Sequence, residues 1–257
     1  MTTIAILGLG EAGSRYARGL ADAGAEVRGY DPHAAMTGAG IARCDRLGDA
    51  LLGADVVLSL VWARNAVAVA EAAMTHLGTG AVYADLNTAA PQTKIEVCDV
   101  ARSAGVRMAD VAVLAPVPRA GHRTDLLASG PGADVLAERL RPLGVPIEIV
   151  AGEVGEAARL KLLRSVFMKG LATLVIEGLE AARATGAETW MRQQIAAELG
   201  PGGRTMIDHL LAGTYLHSER REHEVRDALA ALEAIDAPAD MTRATLAWFE
   251  RLNGMRS

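Results

Sequence analysis

The run Thr3–Leu7 is aliphatic and β-branched, and Gly8-Leu9-Gly10-Glu11-Ala12-Gly13 follows it without a spacer. A strand that passes at once through three glycines in this spacing, then opens an alanine-rich helix over residues 14–23 closed by Gly24, has few folds available to it. Gly8 permits the tight turn, Gly10 leaves the backbone bare for a close ligand, and Gly13 lets the helix press against the strand. The N–H groups that start a helix have no partner within it, and together with the helix dipole they attract an anion such as a pyrophosphate. Gly8, Leu9, Gly10, Glu11, Ala12 and Gly13 are therefore candidate cofactor residues; the plainer alternative is a glycine-rich turn that holds no ligand. The next strand, Glu26–Tyr30, runs into Asp31, eighteen residues past Gly13. A carboxylate there accepts hydrogen bonds from the ribose hydroxyls of NAD and repels the extra phosphate of NADP. No arginine follows Asp31 immediately, His33 being the nearest possible cation and Arg43 lying ten residues further, so NAD is expected to be preferred over NADP. The alternative for Asp31 is a solvated turn before Pro32.

The first 150 residues continue the alternation. Strands are predicted at 56–61, 81–85, 105–110 and 147–150, with helices at 64–77 and 94–104 between them. Strands alternating with helices of this length imply right-handed crossovers and a mainly parallel sheet. Past residue 155 the strand signal stops. Residues 156–185 read as one long helix, and helical stretches continue to 253, broken at Gly200-Pro201-Gly202-Gly203 and Ala237-Pro238. The expected architecture is α/β: a Rossmann-type doubly wound parallel sheet over 1–155, followed by a small all-α domain over 156–257.

Composition narrows the partners. With 51% hydrophobic and 22% charged residues the 257-residue chain can bury a core, and its formal charge of −5 argues against nucleic acid as the main ligand. No apolar run reaches the roughly 18 to 20 residues of a membrane helix, and no basic segment precedes the first strand, so no membrane association and a cytoplasmic location are expected. Cys44 and Cys98 make no disulfide framework, and His209, His217 and His223 lack metal-ligand spacing, so no metal is expected.

Three segments carry candidate chemistry. Asp85-Leu86-Asn87-Thr88 with Pro91 leaves a predicted strand at the sheet edge where ligands bind. Asn87 and Thr88 there either meet the cofactor or cap the following helix. Val61, closing the 56–61 strand, is counted with them as a cofactor residue. The 110–123 segment contains Pro116, Arg119 and His122, candidates for binding an anionic substrate. The long helix carries Lys161, with Arg164 and Ser165 on the same face by the i+3 and i+4 rule. Leu160, Leu163, Phe167 and Leu171 make that helix look buried, which makes a lysine there conspicuous. Of 26 basic residues 23 are arginine, and the three lysines are Lys94, Lys161 and Lys169. Lysine can surrender its proton and arginine effectively cannot.

Together these motifs resemble the β-hydroxyacid dehydrogenase superfamily, which includes 3-hydroxyisobutyrate and 6-phosphogluconate dehydrogenases, in a branch with a short, uncharacterised helical C-terminal domain. The resemblance runs over essentially the whole chain. It implies that Lys161 is the catalytic acid/base, taking a proton from the substrate hydroxyl as hydride leaves the same carbon for the nicotinamide. It also implies a small polar, anionic hydroxy acid or its keto form as substrate, and a homodimer built through the C-terminal helices. Two departures stand out. Ser165 replaces the family's asparagine, and Leu114-Ala115-Pro116 replaces its Ser-Gly-Gly substrate loop. Arg164 stands where phosphogluconate dehydrogenases carry a histidine, which makes it the candidate substitute anion anchor, with Lys169 able to share the pocket. The alternatives are an imine reductase of the same architecture, against which Lys161 argues, and a non-catalytic NAD(P)H-binding sensor.

Overall fold

A computed structural model describes residues 1–34 and 41–255. The chain divides into two compact units, Met1–Lys161 and Leu162–Ser257. In the first, β1 (Thr3–Leu7), β2 (Glu26–Tyr30), β3 (Ile41–Arg43), β4 (Val56–Ser59), β5 (Val82–Asp85), β6 (Arg107–Val113), β7 (Leu126–Ser129) and β8 (Ile147–Ile149) form one sheet. Its order is β3-β2-β1-β4-β5-β6-β7-β8. The doubly wound parallel sheet expected from the sequence is present, with one exception. β7 pairs antiparallel to β6, Val113 opposite Leu126. The connection between them holds two single 3₁₀ turns, Val117–Arg119 and Gly121–Arg123, and no helix that would carry the chain back across the sheet for a parallel return.

Helices cover both faces, so successive strand residues are buried on opposite sides. Ile4, Ile6, Val56 and Leu58 pack with Tyr16 and Leu20 of α1 (Glu11–Asp22) and with Leu136 and Leu140 of α5 (Ala133–Leu140). Ala5, Leu7, Val57 and Tyr83 pack on the other face with Leu51 of α2 (Leu47–Leu51), Ala70 of α3 (Ala66–Met74) and Val97 of α4 (Pro91–Ser103). Both layers leave the carboxyl ends of β1, β4 and β5 side by side, and the candidate site is built there.

Local boundaries differ from the sequence expectation where a glycine or a short segment decides them. α1 starts at Glu11, directly after its N-cap Gly10, rather than at residue 14. Gly105, at φ +70°, closes the chain after α4, so β6 begins two residues later than predicted and extends to Val113. The sequence reading missed β3, α2 and β7, each too short to show a period, and α5, although its buried Ala133, Leu136, Ala137 and Leu140 fall at helical spacing.

The second unit begins within α6, an uninterrupted helix over Glu156–Ala184. It is followed by α7 (Glu188–Glu198), α8 (Gly203–Leu216), α9 (Ser218–Glu233) and α10 (Asp240–Gly254). Its core joins Ala172, Val175 and Leu179 to Ile207 and Leu210, and Ile176 to Val225, Phe249 and Leu252. The expectation of a buried α6 is corrected in part: Leu163, Phe167 and Leu174 are 39%, 65% and 61% exposed, a stripe at helical spacing. Among the described residues no helix is long and apolar enough to cross a membrane.

Candidate cofactor and acid–base site

Each glycine of the first turn has its own geometric reason. Gly8 lies at φ +92°, and a Cβ there would come within 2.4 Å of the Leu60 carbonyl oxygen and 3.1 Å of Val61 Cγ1. A Cβ on Gly13 would sit 1.9 Å from the Gly8 carbonyl oxygen. Gly10 is different: nothing lies within 4 Å of its Cβ position, and as N-cap of α1 it is covered by no side-chain hydrogen bond. Leu9 is buried against Gly29, Ala12 is half-buried, and Glu11 is exposed in the first helical turn. Free space over a bare helix start fits a pyrophosphate.

Asp31 is tied into this turn. Its Oδ2 accepts from the Leu9 N–H at 2.8 Å, and its Oδ1 accepts from His33 N at 2.8 Å and Ala34 N at 3.1 Å. Burial works to raise the Asp31 pKa, but those three N–H donors and the His33 charge outweigh it and hold the carboxyl below its ordinary value. The carboxylate thus orients the glycine turn while staying anionic.

The β5 loop is organised more tightly than the sequence suggested. Asn87 is buried, and its side chain is spent inside the protein: Oδ1 accepts from Val61 N at 2.6 Å and Nδ2 donates to Ser59 Oγ at 3.2 Å. It neither caps α4, whose N-cap is Ala90, nor offers its amide outward; it stitches β5 to the end of β4. Thr88, the next residue, is exposed, and its Oγ1 accepts a hydrogen bond from Lys161 Nζ at 3.1 Å. Two residues singled out separately in the sequence, 73 positions apart, therefore meet.

Beneath them lies a group the sequence reading did not assign. Lys94 on α4 is 1% exposed, and its Nζ donates to the Asp85 carbonyl oxygen at 2.7 Å and lies 3.4 Å from Asp85 Oδ1 and from Asp110 Oδ1. Asp110 Oδ2 accepts from Gly155 N at 3.1 Å and Ala158 N at 3.0 Å, at the start of α6. Ser129 Oγ accepts from Ala157 N at 3.1 Å. Burial pushes the Asp85 carboxyl above its ordinary value, and the Lys94 ammonium and Asn87 N–H pull back without cancelling it. A sequence signal existed: Lys94, Val97, Cys98 and Ala101 are the buried positions of α4, so the lysine occupies a core register.

Pro116 and Arg119 are exposed. His122 is packed on α1, its Nδ1 where a Cβ on Gly19 would fall, at 1.9 Å. Burial, helped by the charge of Arg123, lowers its pKa, and the ring is wedged against α1. Arg164 is exposed, and Ser165 Oγ receives Lys169 Nζ at 2.6 Å. Lys169 is itself paired with Glu224 at 2.7 Å. Its pKa is lowered by burial against the opposing pull of Glu224.

A doubly wound sheet with a bare, glycine-lined helix start and an anionic strand end defines a dinucleotide-binding domain. Residues 3–143 match the NAD binding domain of 6-phosphogluconate dehydrogenase, and residues 182–252 match a domain of unknown function, DUF1932. The chain belongs to the 6-phosphogluconate dehydrogenase NAD-binding family, and its fold is that of NAD(P)-dependent oxidoreductases. A conserved hypothetical protein from Sinorhizobium meliloti 1021 is 34% identical, with 97% of this chain and 88% of that one covered and a TM-score of 0.77. The 3-hydroxyisobutyrate dehydrogenase of Mycobacterium tuberculosis, solved with L-serine, shares the fold at 20% identity, covering 99% and 94% of the two chains with a TM-score of 0.80. A variant imine reductase from Myxococcus stipitatus, solved with NAD+, does so at 19% identity, covering 99% and 95% with a TM-score of 0.69.

Two contrasts test this geometry. Gly10→Asp should leave the melting temperature near that of the wild type and abolish NADH binding. Gly13→Ala should instead destabilise by about 3 kcal/mol or more, because the carbonyl it meets is backbone and cannot turn away. Equal effects of the two on stability would contradict the assignment of open space to Gly10 alone. For the wedge, Gly19→Ala should cost about 1–3 kcal/mol by overpacking. Adding His122→Ala should recover part of that loss in thermal unfolding, and His122→Ala alone should leave NADH affinity unchanged.

Proposed function

We propose that the chain is a dehydrogenase or reductase of small, polar, anionic hydroxy acids or their keto forms, that it prefers NAD over NADP, and that Lys161 is its general acid/base. The observation that carries the reading is the hydrogen bond from Lys161 Nζ to Thr88 Oγ1 at 3.1 Å, at the end of the sheet where β1 and β4 present the glycine turn and Val61. When bound, the nicotinamide supplies the hydride acceptor or donor. Gly8, Leu9, Gly10, Glu11, Ala12 and Gly13, around the open helix start, would hold the dinucleotide's pyrophosphate, and Asp31 would accept from the adenosine ribose. An aspartate held in its charged form repels the 2′-phosphate of NADP, which supports the NAD preference.

The amine of Lys161 takes the proton from the substrate hydroxyl in oxidation and returns it in reduction. Thr88 accepts from the nitrogen and so fixes its direction without adding a charge beside it. Arg164, exposed one helical turn further on, is the proposed anchor for the substrate's anionic group, in place of the Ser-Gly-Gly loop that Leu114-Ala115-Pro116 replaces. The exposed stripe of Leu163, Phe167 and Leu174 supports a homodimer, since apolar side chains repeating along one helix face gain from cover by a second copy.

The test uses a panel of small hydroxy acids, phosphorylated and phosphonate ones included, with NAD and NADP. Lys161→Arg keeps the charge and Lys161→Met the approximate length; both should bind NADH normally and lose turnover by about 10²-fold or more. Arg164→Ala should instead raise KM, by the 1.5–3 kcal/mol that is roughly the worth of a charge-assisted hydrogen bond. Near wild-type turnover in Lys161→Arg would remove the acid/base assignment.

A further inference from the structure

We propose that Lys94 is a positioning residue, whose buried ammonium sets the Lys161–Thr88 contact by holding the two chain segments that carry those residues. The inference rests on the reading of Lys161 given above, but its geometry stands by itself. From Lys94 one branch runs through Asp85: the ammonium holds the Asp85 carbonyl at 2.7 Å, and Asp85 Oδ1 accepts from Asn87 N at 2.8 Å. Asn87 is then pinned to Ser59 and Val61, which leaves Thr88 as the first residue of the loop to face outward. The other branch runs through Asp110, whose Oδ1 faces the ammonium at 3.4 Å and whose Oδ2 holds Gly155 N and Ala158 N. Ala158 and Lys161 are three residues apart on α6, so fixing the first turn fixes the lysine's direction. The branches close on each other where Lys161 Nζ donates to Thr88 Oγ1. Every member of this ring lies within Met1–Lys161.

Stability alone gives no reason to bury two carboxylates and an ammonium in a core position. Replacing such a network by apolar residues of similar volume is often neutral or stabilising, whereas removing one member strands the others. What the network supplies that a leucine would not is direction. An ammonium has three donors, and here it faces one carbonyl and two carboxylate oxygens. In a chain with 23 arginines, a planar guanidinium would not present three donors to three acceptors around one point.

The test reads Lys161 directly and needs no substrate. The chain has three lysines, so brief acetylation with acetic anhydride followed by peptide mass spectrometry gives a rate for each. In Lys94→Met, Lys161 should react roughly tenfold faster, the factor that corresponds to about 1.4 kcal/mol of lost restraint. Lys169, held by Glu224, should keep its rate. Should Lys94→Met fail to fold, Asp110→Asn removes the charge at the α6 end while keeping the side-chain size, and the same selective rise is expected. Lys94→Arg, which keeps a cation, should fall between wild type and Lys94→Met. An unchanged Lys161 rate in a folded variant overturns the proposal, and so does a parallel rise at Lys161 and Lys169, which is general loosening. Loss of the acid/base reading would appear separately, as an active Lys161→Arg while the selective rise at Lys161 in Lys94→Met still holds.

Discussion

Two carboxylates and one ammonium, all excluded from water, bind together four separate stretches of the first unit. Lys94 comes from α4, Asp85 from the end of β5, Asp110 from β6, and the amides that complete Asp110 from the first turn of α6. None of these groups can relax into solvent, so each is confined by the charges and hydrogen bonds of its neighbours, although Asp85 Oδ2 and Asp110 Oδ1 have no hydrogen-bond partner among the described residues. The order of the sheet places β5 beside β6, and their register sets Asp85 directly opposite Asp110. The antiparallel β7 contributes in the same place, since Ser129 pairs with Asp110 across the ladder and hydrogen-bonds the same helix start. An irregularity of topology is thereby put to use at the root of the candidate site.

The nucleotide end of the site obeys a different logic. There the constraint is absence of atoms: Gly8 and Gly13 are glycines because backbone occupies the space a side chain needs, and Gly10 because nothing does. Asp31 joins the two demands, holding the turn through Leu9 while presenting a fixed negative charge at the end of β2. The β4 and β5 loops are then locked to one another through Asn87.

What was legible in the sequence is what depends on neighbours along the chain. The glycine turn, β1, β2 and the start of α6 at Glu156 follow from spacing and period within a few residues. What was not legible depends on partners far away. Asn87 reads as a cofactor contact or a cap because nothing local reveals Ser59 and Val61, and His122 reads as a loop cation because Gly19 is over 100 positions off. β7 is four buried residues whose direction is decided by a missing helix before it. Exposure of Phe167 could not be foreseen either, since an apolar stripe on a helix looks the same whether or not the chain covers it. Lys94 lies between these cases: its core register on α4 was visible, and its two acidic partners were not.

The claim on which the rest turns is that Asp110, balanced by Lys94, holds the first turn of α6. Hydrogen exchange at the amides of Gly155 and Ala158, followed residue by residue in the protein without cofactor, tests it most directly. The account expects both amides among the slowest of their segment in the wild type, and fast in Asp110→Ala, while amides of β1 and β4 stay protected. Fast exchange at Gly155 and Ala158 in the wild type, or slow exchange that survives Asp110→Ala, would contradict it.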